Sequence, residues 1–327
     1  MKIAQILTKR AAIKGKASPL DIVFEWEDVL AEQLNVPKRN HFTKWRLVGA
    51  VCYRLPFLGR FFRPFSTSLS FDLYSCDIFR ANYSCIVPCI IDFWLRKEEQ
   101  LKLFYKLHDK HPIVLVSSKE VYDFLKSKDC PLRIAHWGLS ISDKYKINTA
   151  VLKEKKYDAA IVGRTSKVLL GYAQRYKETH PGFVYIYQVR LPGRNGDVVY
   201  MDSDGRKVCS ASTRMEYMEL LRKVKVGFYS TPGVDSDRNV SYNQVTPRFL
   251  EYLVSGCHVL ARYTKNPDTD FYEMDKMAPN ITSYEHFERE LDRALSTPID
   301  VDKYRQYLAK HYTSTRAKEL ISILEEI

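Results

Sequence analysis

No apolar run in the 327 residues approaches the ~18 needed to cross a bilayer. The opening stretch, MKIAQILTKR, has neither the apolar segment nor the small-residue cleavage site of a signal peptide. A cytoplasmic location is therefore expected. The seven cysteines are odd in number and contain no C-x-x-C pair. That argues against a disulfide framework or a structural zinc site and for free thiols in a reducing compartment. There is no G-x-G-x-x-G, P-loop, H-E-x-x-H or G-x-S-x-G. The common dinucleotide, NTPase, zinc-protease and serine-hydrolase signatures are thus missing. Internal repeats and low-complexity segments are also absent.

What is present is an ordinary globular composition, 45% hydrophobic and 28% charged, which excludes wholesale disorder. The length suggests about two domains at roughly 150 residues each. The net charge of +12 is uneven. Residues 1–65 hold 12 basic and 5 acidic side chains, a net +7, so the excess sits in the N-terminal fifth. An acidic partner is expected there, such as a phospholipid surface, a lipid phosphate or a polyanion. No known nucleic-acid motif accompanies the charge, and nucleic acid is not an expected partner.

Periodicity and punctuation give an alternating order of elements. Strands are expected at Met1–Leu7, Leu69–Tyr74, Cys85–Phe93, Pro112–Val116 and Leu132–Trp137. Helices are expected at Ser18–Leu34, Thr43–Leu55, Arg96–His108 and Glu120–Ser127. The pattern resumes with strand Asp158–Val162, helix Lys167–Glu178, strand Phe183–Tyr187 and a hairpin around Asp202-Ser-Asp-Gly205. Helix Thr213–Lys223, strand Val226–Ser230, helix Pro247–Ser255 and strand His258–Tyr263 follow, with further helices in the tail. Alternation of this kind predicts α/β architecture: two Rossmann-like domains facing a cleft, over residues 1–145 and 146–327.

The most informative segment is Gln244-Val-Thr-Pro-Arg-Phe-Leu-Glu-Tyr-Leu-Val-Ser-Gly-Cys-His-Val-Leu-Ala261. Thr246 is placed to cap a helix opening at Pro247, Gly256 closes it, and a buried strand begins at once. By itself this reads equally as a phosphate site at a sheet edge or as an ordinary capped helix. Upstream, strand Asp158-Ala-Ala-Ile-Val-Gly-Arg164 ends in Gly-Arg, with Lys167 following.

In this order the two segments resemble the donor domain of bacterial group 1 glycosyltransferases of the GT-B fold. Glu251-Tyr-Leu-Val-Ser-Gly-Cys-His-Val-Leu260 matches the outline of their nucleotide-sugar helix, and Thr246-Pro-Arg-Phe-Leu-Glu251 is similar to a capsule and surface-polysaccharide subgroup. The resemblance implies that Glu251 holds the donor ribose and that Arg164, Lys167, Thr246 and Arg248 lie on the diphosphate side. The family often has a second glutamate eight positions earlier, where this chain has Asn243. The tail segments Ile281–Glu288 and Tyr304–Arg316 resemble the closing helices of the fold.

In the N-terminal half, His136 and Asp92 end expected strands. Either could orient an acceptor hydroxyl or take its proton, or simply bond to backbone. The pairs Asp202/Asp204 and Asp235/Asp237 resemble metal-holding D-x-D motifs, but read better as turn residues. No metal and no cofactor beyond the nucleotide-sugar co-substrate are expected. Lys44–Arg63 interleaves Trp45, Phe57, Phe61 and Phe62 with arginines. It reads equally as a segment docking on an anionic membrane or as a core helix with a basic loop. The reading is a metal-independent glycosyltransferase acting on a glycan or lipid-linked acceptor in surface-polysaccharide synthesis. The alternative is a non-catalytic module that binds nucleotide sugars or polyanions on a retained GT-B-like fold.

Overall fold

The computed structural model describes residues 1–10, 20–40, 67–74, 85–149, 155–163, 166–190, 198–210, 213–235 and 242–327. The helix expected at Thr43–Leu55, the basic run Lys44–Arg63, Arg164 and Asp237 lie outside the described residues. The chain divides into two units, Met1–Asp143 with Tyr312–Ile327, and Lys144–His311.

Unit 1 contains strands β1 (Gln5–Thr8), β2 (Lys38–Asn40), β3 (Ser68–Tyr74), β4 (Ile86–Asp92), β5 (Val114–Val116) and β6 (Ile134–His136). They lie in the order β2-β1-β3-β4-β5-β6, with every neighbour parallel. Helices α1 (Asp21–Leu34), α2 (Glu98–His108) and α3 (Lys119–Ser127) connect them. The continuous apolar run of β4 follows from its central place: residues 86 to 91 are all buried. Period-two alternation sends Leu69, Phe71, Val87, Cys89 and Ile91 into one core with Trp26 and Leu30 of α1. Full burial of each large side chain is worth about 1.5–3 kcal/mol.

Unit 2 contains β7 (Tyr157–Ile161), β8 (Tyr185–Arg190), β9 (Val198–Asp202), β10 (Lys207–Cys209), β11 (Val224–Ser230) and β12 (His258–Arg262). The order is β10-β9-β8-β7-β11-β12; β8, β7, β11 and β12 are parallel, and β9 and β10 extend the sheet antiparallel. The helices are α4 (Lys167–Thr179), α5 (Arg214–Arg222), α6 (Arg248–Val254), α7 (Pro267–Phe271), α8 (Met274–Met277), α9 (Tyr284–Ser296) and α10 (Val301–Ala309). One face of the sheet packs Ile161, Val226, Phe228 and Leu260 against Leu169 and Ala173 of α4 and Phe287 and Leu291 of α9.

The final helix, α11 (Thr313–Glu325), belongs to unit 1, whereas the sequence reading kept the closing helices within 146–327. Its Ala317, Leu320 and Leu324 form one apolar stripe and join the core of Trp26 and Trp137. Trp137 Nε1 donates to the Arg316 carbonyl at 2.8 Å, and the Ser140 and Thr313 hydroxyls meet at 3.0 Å. No helix among the described residues is long and apolar enough to cross a membrane. Among the described residues, Cys89, Cys130 and Cys257 are free thiols.

Candidate functional site

In unit 2 the chain leaves β7 toward β8 on one side and later returns to lay β11 on the other. Such a reversal places the carboxyl ends of β7 and β11 at the position where open α/β sheets hold ligands. Gly163, just beyond β7, has φ +74°, and a Cβ there would lie 2.1 Å from the Arg248 guanidinium carbon. The glycine therefore serves two needs: it adopts the left-handed backbone, and it leaves room for Arg248. Its N–H donates to Gln188 Oε1 at 2.7 Å. Gly227 likewise makes space for the Tyr252 ring, which a Cβ would approach to 2.3 Å. The Tyr252 hydroxyl donates to the Ala160 carbonyl at 3.1 Å and accepts from the Val162 N–H at 3.4 Å, clamping α6 to β7.

Arg248 and Glu251 are three residues apart on α6 and so share a face. Glu251 is buried, 5% exposed. One carboxylate oxygen lies 2.6 Å from Arg214 Nη1, and the other accepts from the Tyr217 hydroxyl at 3.0 Å. Arg214 and Tyr217 come from the first turn of α5, which a reciprocal Thr213–Glu216 capping box fixes. The Arg214 guanidinium also lies over the rings of Tyr217 and Tyr145, at 5.5 and 5.9 Å. Burial works against the charge on Arg248, but Tyr217, Glu251 and Tyr252 outweigh it and raise its already high pKa. Arg248 Nε is buried and has no hydrogen-bond partner among the described residues. Burial, and then the Glu251 charge, hold the Tyr217 phenol far above its usual value. Burial pushes Tyr200 up to about 12, with Arg248 working the other way.

Thr246 does not cap α6 as expected. Pro247 occupies the cap position, and no side chain bonds to the helix end. Instead the Thr246 N–H donates to the Tyr229 hydroxyl at 2.9 Å, and its own hydroxyl lies 3.4 Å from the same oxygen. Proline already supplies the helical φ, so the threonine is free to tie this approach to β11. Lys167 is exposed as the first residue of α4, behind the Ser166 cap, whose oxygen accepts from the Leu169 N–H at 3.2 Å.

The Ser166 hydroxyl also donates to Asp235, at 2.8 Å. Arg262 forks onto both Asp235 oxygens at 2.5 and 2.7 Å. Burial opposes ionisation of Asp235, yet these bonds hold its carboxyl below the usual range. Asp202 accepts from the N–H groups of Asp204 and Arg206 and from Arg206 Nε, at 2.8–3.0 Å. It is thus a turn residue, and Asp235 is the anchor joining the loop after β11 to β12 and α4. Asn243 packs on Gly233, where a Cβ would meet its Oδ1 at 1.9 Å.

Unit 1 holds the other two candidates. Asp92 and His136 end β4 and β6, on the same sheet edge with β5 between them. Both are half-buried. The His136 imidazole is pushed down to about 4, first by burial and then by the Arg316 and Lys119 cations. It is neutral at pH 7 and a weak base there. Near the end of β1, burial pushes Glu27 up to about 7, against a hydrogen bond from Thr8 and the Arg10 cation.

No protein-family model matches the sequence, and no curated protein matches it. Its architecture, by contrast, has clear counterparts. A sucrose-phosphate synthase from Thermosynechococcus elongatus aligns over 100% of this chain and 99% of its own, with TM-score 0.59 and 9% identity. An alpha-glucosyltransferase solved with UDP-glucose and DNA containing an abasic site aligns over 99% of each chain, with TM-score 0.52 and 11% identity. The chain has the GT-B fold. On this GT-B scaffold the structure brings Arg248 and Glu251 together on one face of α6. Arg214, Tyr217, Gln188 and Tyr229 are additions that the sequence reading missed. The T-x-x-E pattern of Thr213–Glu216 marks the start of α5 locally, but the pairing of Arg214 with Glu251 is tertiary and leaves no local signal.

Proposed function

We propose that the chain is a glycosyltransferase that moves a sugar from a nucleotide-diphosphate donor to a glycan or glycolipid hydroxyl in bacterial surface-polysaccharide synthesis. The observation that carries this reading is the Arg248 guanidinium seated over Gly163 at the switch point, with the Glu251 carboxylate one turn further along α6. A forked cation there meets a diphosphate, and a buried carboxylate meets ribose hydroxyls. In this scheme Arg248, with Arg164 and Lys167, stabilises charge developing on the departing diphosphate without a metal. His136 or Asp92 orients the acceptor hydroxyl. The UDP-glucose of the similar alpha-glucosyltransferase supports a UDP-sugar as donor.

Calorimetry with nucleoside diphosphates, followed by donor consumption with a panel of saccharide acceptors, tests the reading. Binding without turnover would favour the alternative, a nucleotide-sugar or polyanion binding module. The depressed basicity of His136, at about 4, is the observation on that side. The acceptor is proposed to be lipid-linked, with Lys44–Arg63 docking on an anionic membrane. Each arginine near such a surface is worth about 1 kcal/mol. Changing Arg46, Arg54, Arg60 and Arg63 to Gln should release the protein from anionic liposomes at low salt. A wild-type protein that ignores those liposomes would remove the membrane from the scheme.

A further inference from the structure

Glu251 meets α5 at both of its oxygens, and the number of bonds involved is informative. An ionised carboxylate offers about four acceptor positions, two per oxygen. Arg214 Nη1 takes one on the first oxygen, at 2.6 Å, and the Tyr217 hydroxyl takes one on the second, at 3.0 Å. Among the described residues, one position remains on each oxygen. Two adjacent acceptors on a fixed plane match two adjacent hydroxyls, the vicinal diol of a ribose. The plane is fixed because both donors sit three residues apart in the one helical turn that the Thr213–Glu216 box locks, and because Glu251 is buried. A glutamate without them would lose that orientation among several rotamers.

We propose that Arg214 and Tyr217 are positioning residues that hold Glu251 in the orientation accepting both hydroxyls of a ribose, and so make the site selective for ribonucleotides. The proposal rests on the donor-site reading of Glu251. It gives α5, which carries none of the expected ligand contacts, a role in specificity. The Arg214 contact uses a charge and sets position; the Tyr217 contact is neutral and sets rotation about the carboxylate plane.

The test compares a ribonucleotide with its 2′,3′-dideoxy analogue by calorimetry. The uridine, guanosine, adenosine, cytidine and thymidine diphosphates are screened first, and the tightest ribonucleotide is carried forward. Wild type should prefer the ribonucleotide by about tenfold to a hundredfold, as expected for hydrogen bonds to a charged group. In Tyr217→Phe, which keeps ring and volume, that ratio should fall several-fold while the melting temperature stays close to wild type. Arg214→Met should lower the ratio further, and Arg214→Lys should restore part of it. A merely structural role would alter affinity for both nucleotides alike. Nucleotide binding with an unchanged ratio in folded Tyr217→Phe and Arg214→Lys overturns the positioning role alone. Failure of wild type to bind any of the five diphosphates overturns the donor-site reading and this proposal with it.

Discussion

The two units end their parallel strands in polar residues but differ in the charge states of their buried groups. At the edge of unit 2, charged groups come with partners: Glu251 with Arg214, Asp235 with Arg262, and Arg248 within a ring of Tyr217, Glu251 and Tyr252. In unit 1, burial drives two groups toward their neutral forms, Glu27 up to about 7 and His136 down to about 4, while Lys9 and Asp72 stay paired at 3.5 Å. The first arrangement retains charge in a sheltered place. Burial and pairing thus set ionisation differently on two sheets of the same kind.

The contrast can be broken most forcefully at Glu251. Glu251→Ala should remove the carboxylate beside the half-buried Arg214 and lower stability by about 2–3 kcal/mol, read by equilibrium denaturation. A loss under about 1 kcal/mol would mean that water already solvates the pair. Glu251→Gln keeps the shape and one acceptor, and should weaken nucleotide binding by about 1.5–3 kcal/mol in calorimetry.

In unit 1 the effects should appear as pH dependence. The Glu27 carboxyl is higher in the folded state, about 7, than its ordinary 4.5. Its contribution is therefore fully present below about 4.5 and is lost as pH rises toward 7. Glu27→Gln should remove that loss and leave the protein more stable than wild type at pH 8, by about 3 kcal/mol at most. His136 has the opposite sign. Its folded value of about 4 lies below the ordinary 6.5, so its contribution is present above 6.5 and is lost as pH falls toward 4. Between 4.5 and 6.5 the two slopes offset each other, and each single variant should expose the other group. Denaturation midpoints of Glu27→Gln and His136→Gln measured across pH 4.5–8 check this. Parallel curves for wild type and both variants would show that neither group titrates as described.

The smallest expected effect concerns metal. If arginine and lysine supply the charge at the diphosphate, excess chelator should leave sugar transfer unchanged. Loss of activity that manganese restores would shift that role away from the protein cations.

Much of this architecture was legible in the sequence because the signals were local. The apolar run of β4, the Asp-Gly turn after β9 and the Gly163 and Gly256 punctuation mark elements that the structure places within a few residues. The three-residue β2 has no apolar pattern, since Lys38, Arg39 and Asn40 are all exposed on an edge strand. The site was only half legible. Glu251 and Arg248 lie on one recognisable helix, whereas their neighbours Arg214, Tyr217 and Gln188 arrive from α5 and β8 through tertiary packing. Thr246 misled because a threonine before proline is a good cap in isolation, and only the nearby Tyr229 hydroxyl diverts it.

The passage of the chain back into unit 1 at Tyr312 has a consequence for the order of folding. Unit 2 is continuous in sequence, so all of its strands and helices are made before residue 312. Unit 1 is interrupted, and its core stays open beside Trp26 and Trp137 until Ala317, Leu320 and Leu324 arrive. On the ribosome the later-made half can therefore be complete first, while the earlier-made half waits for the last turns of helix. Removing α11 should unravel the N-terminal sheet and spare the other, the reverse of what position along the chain would suggest.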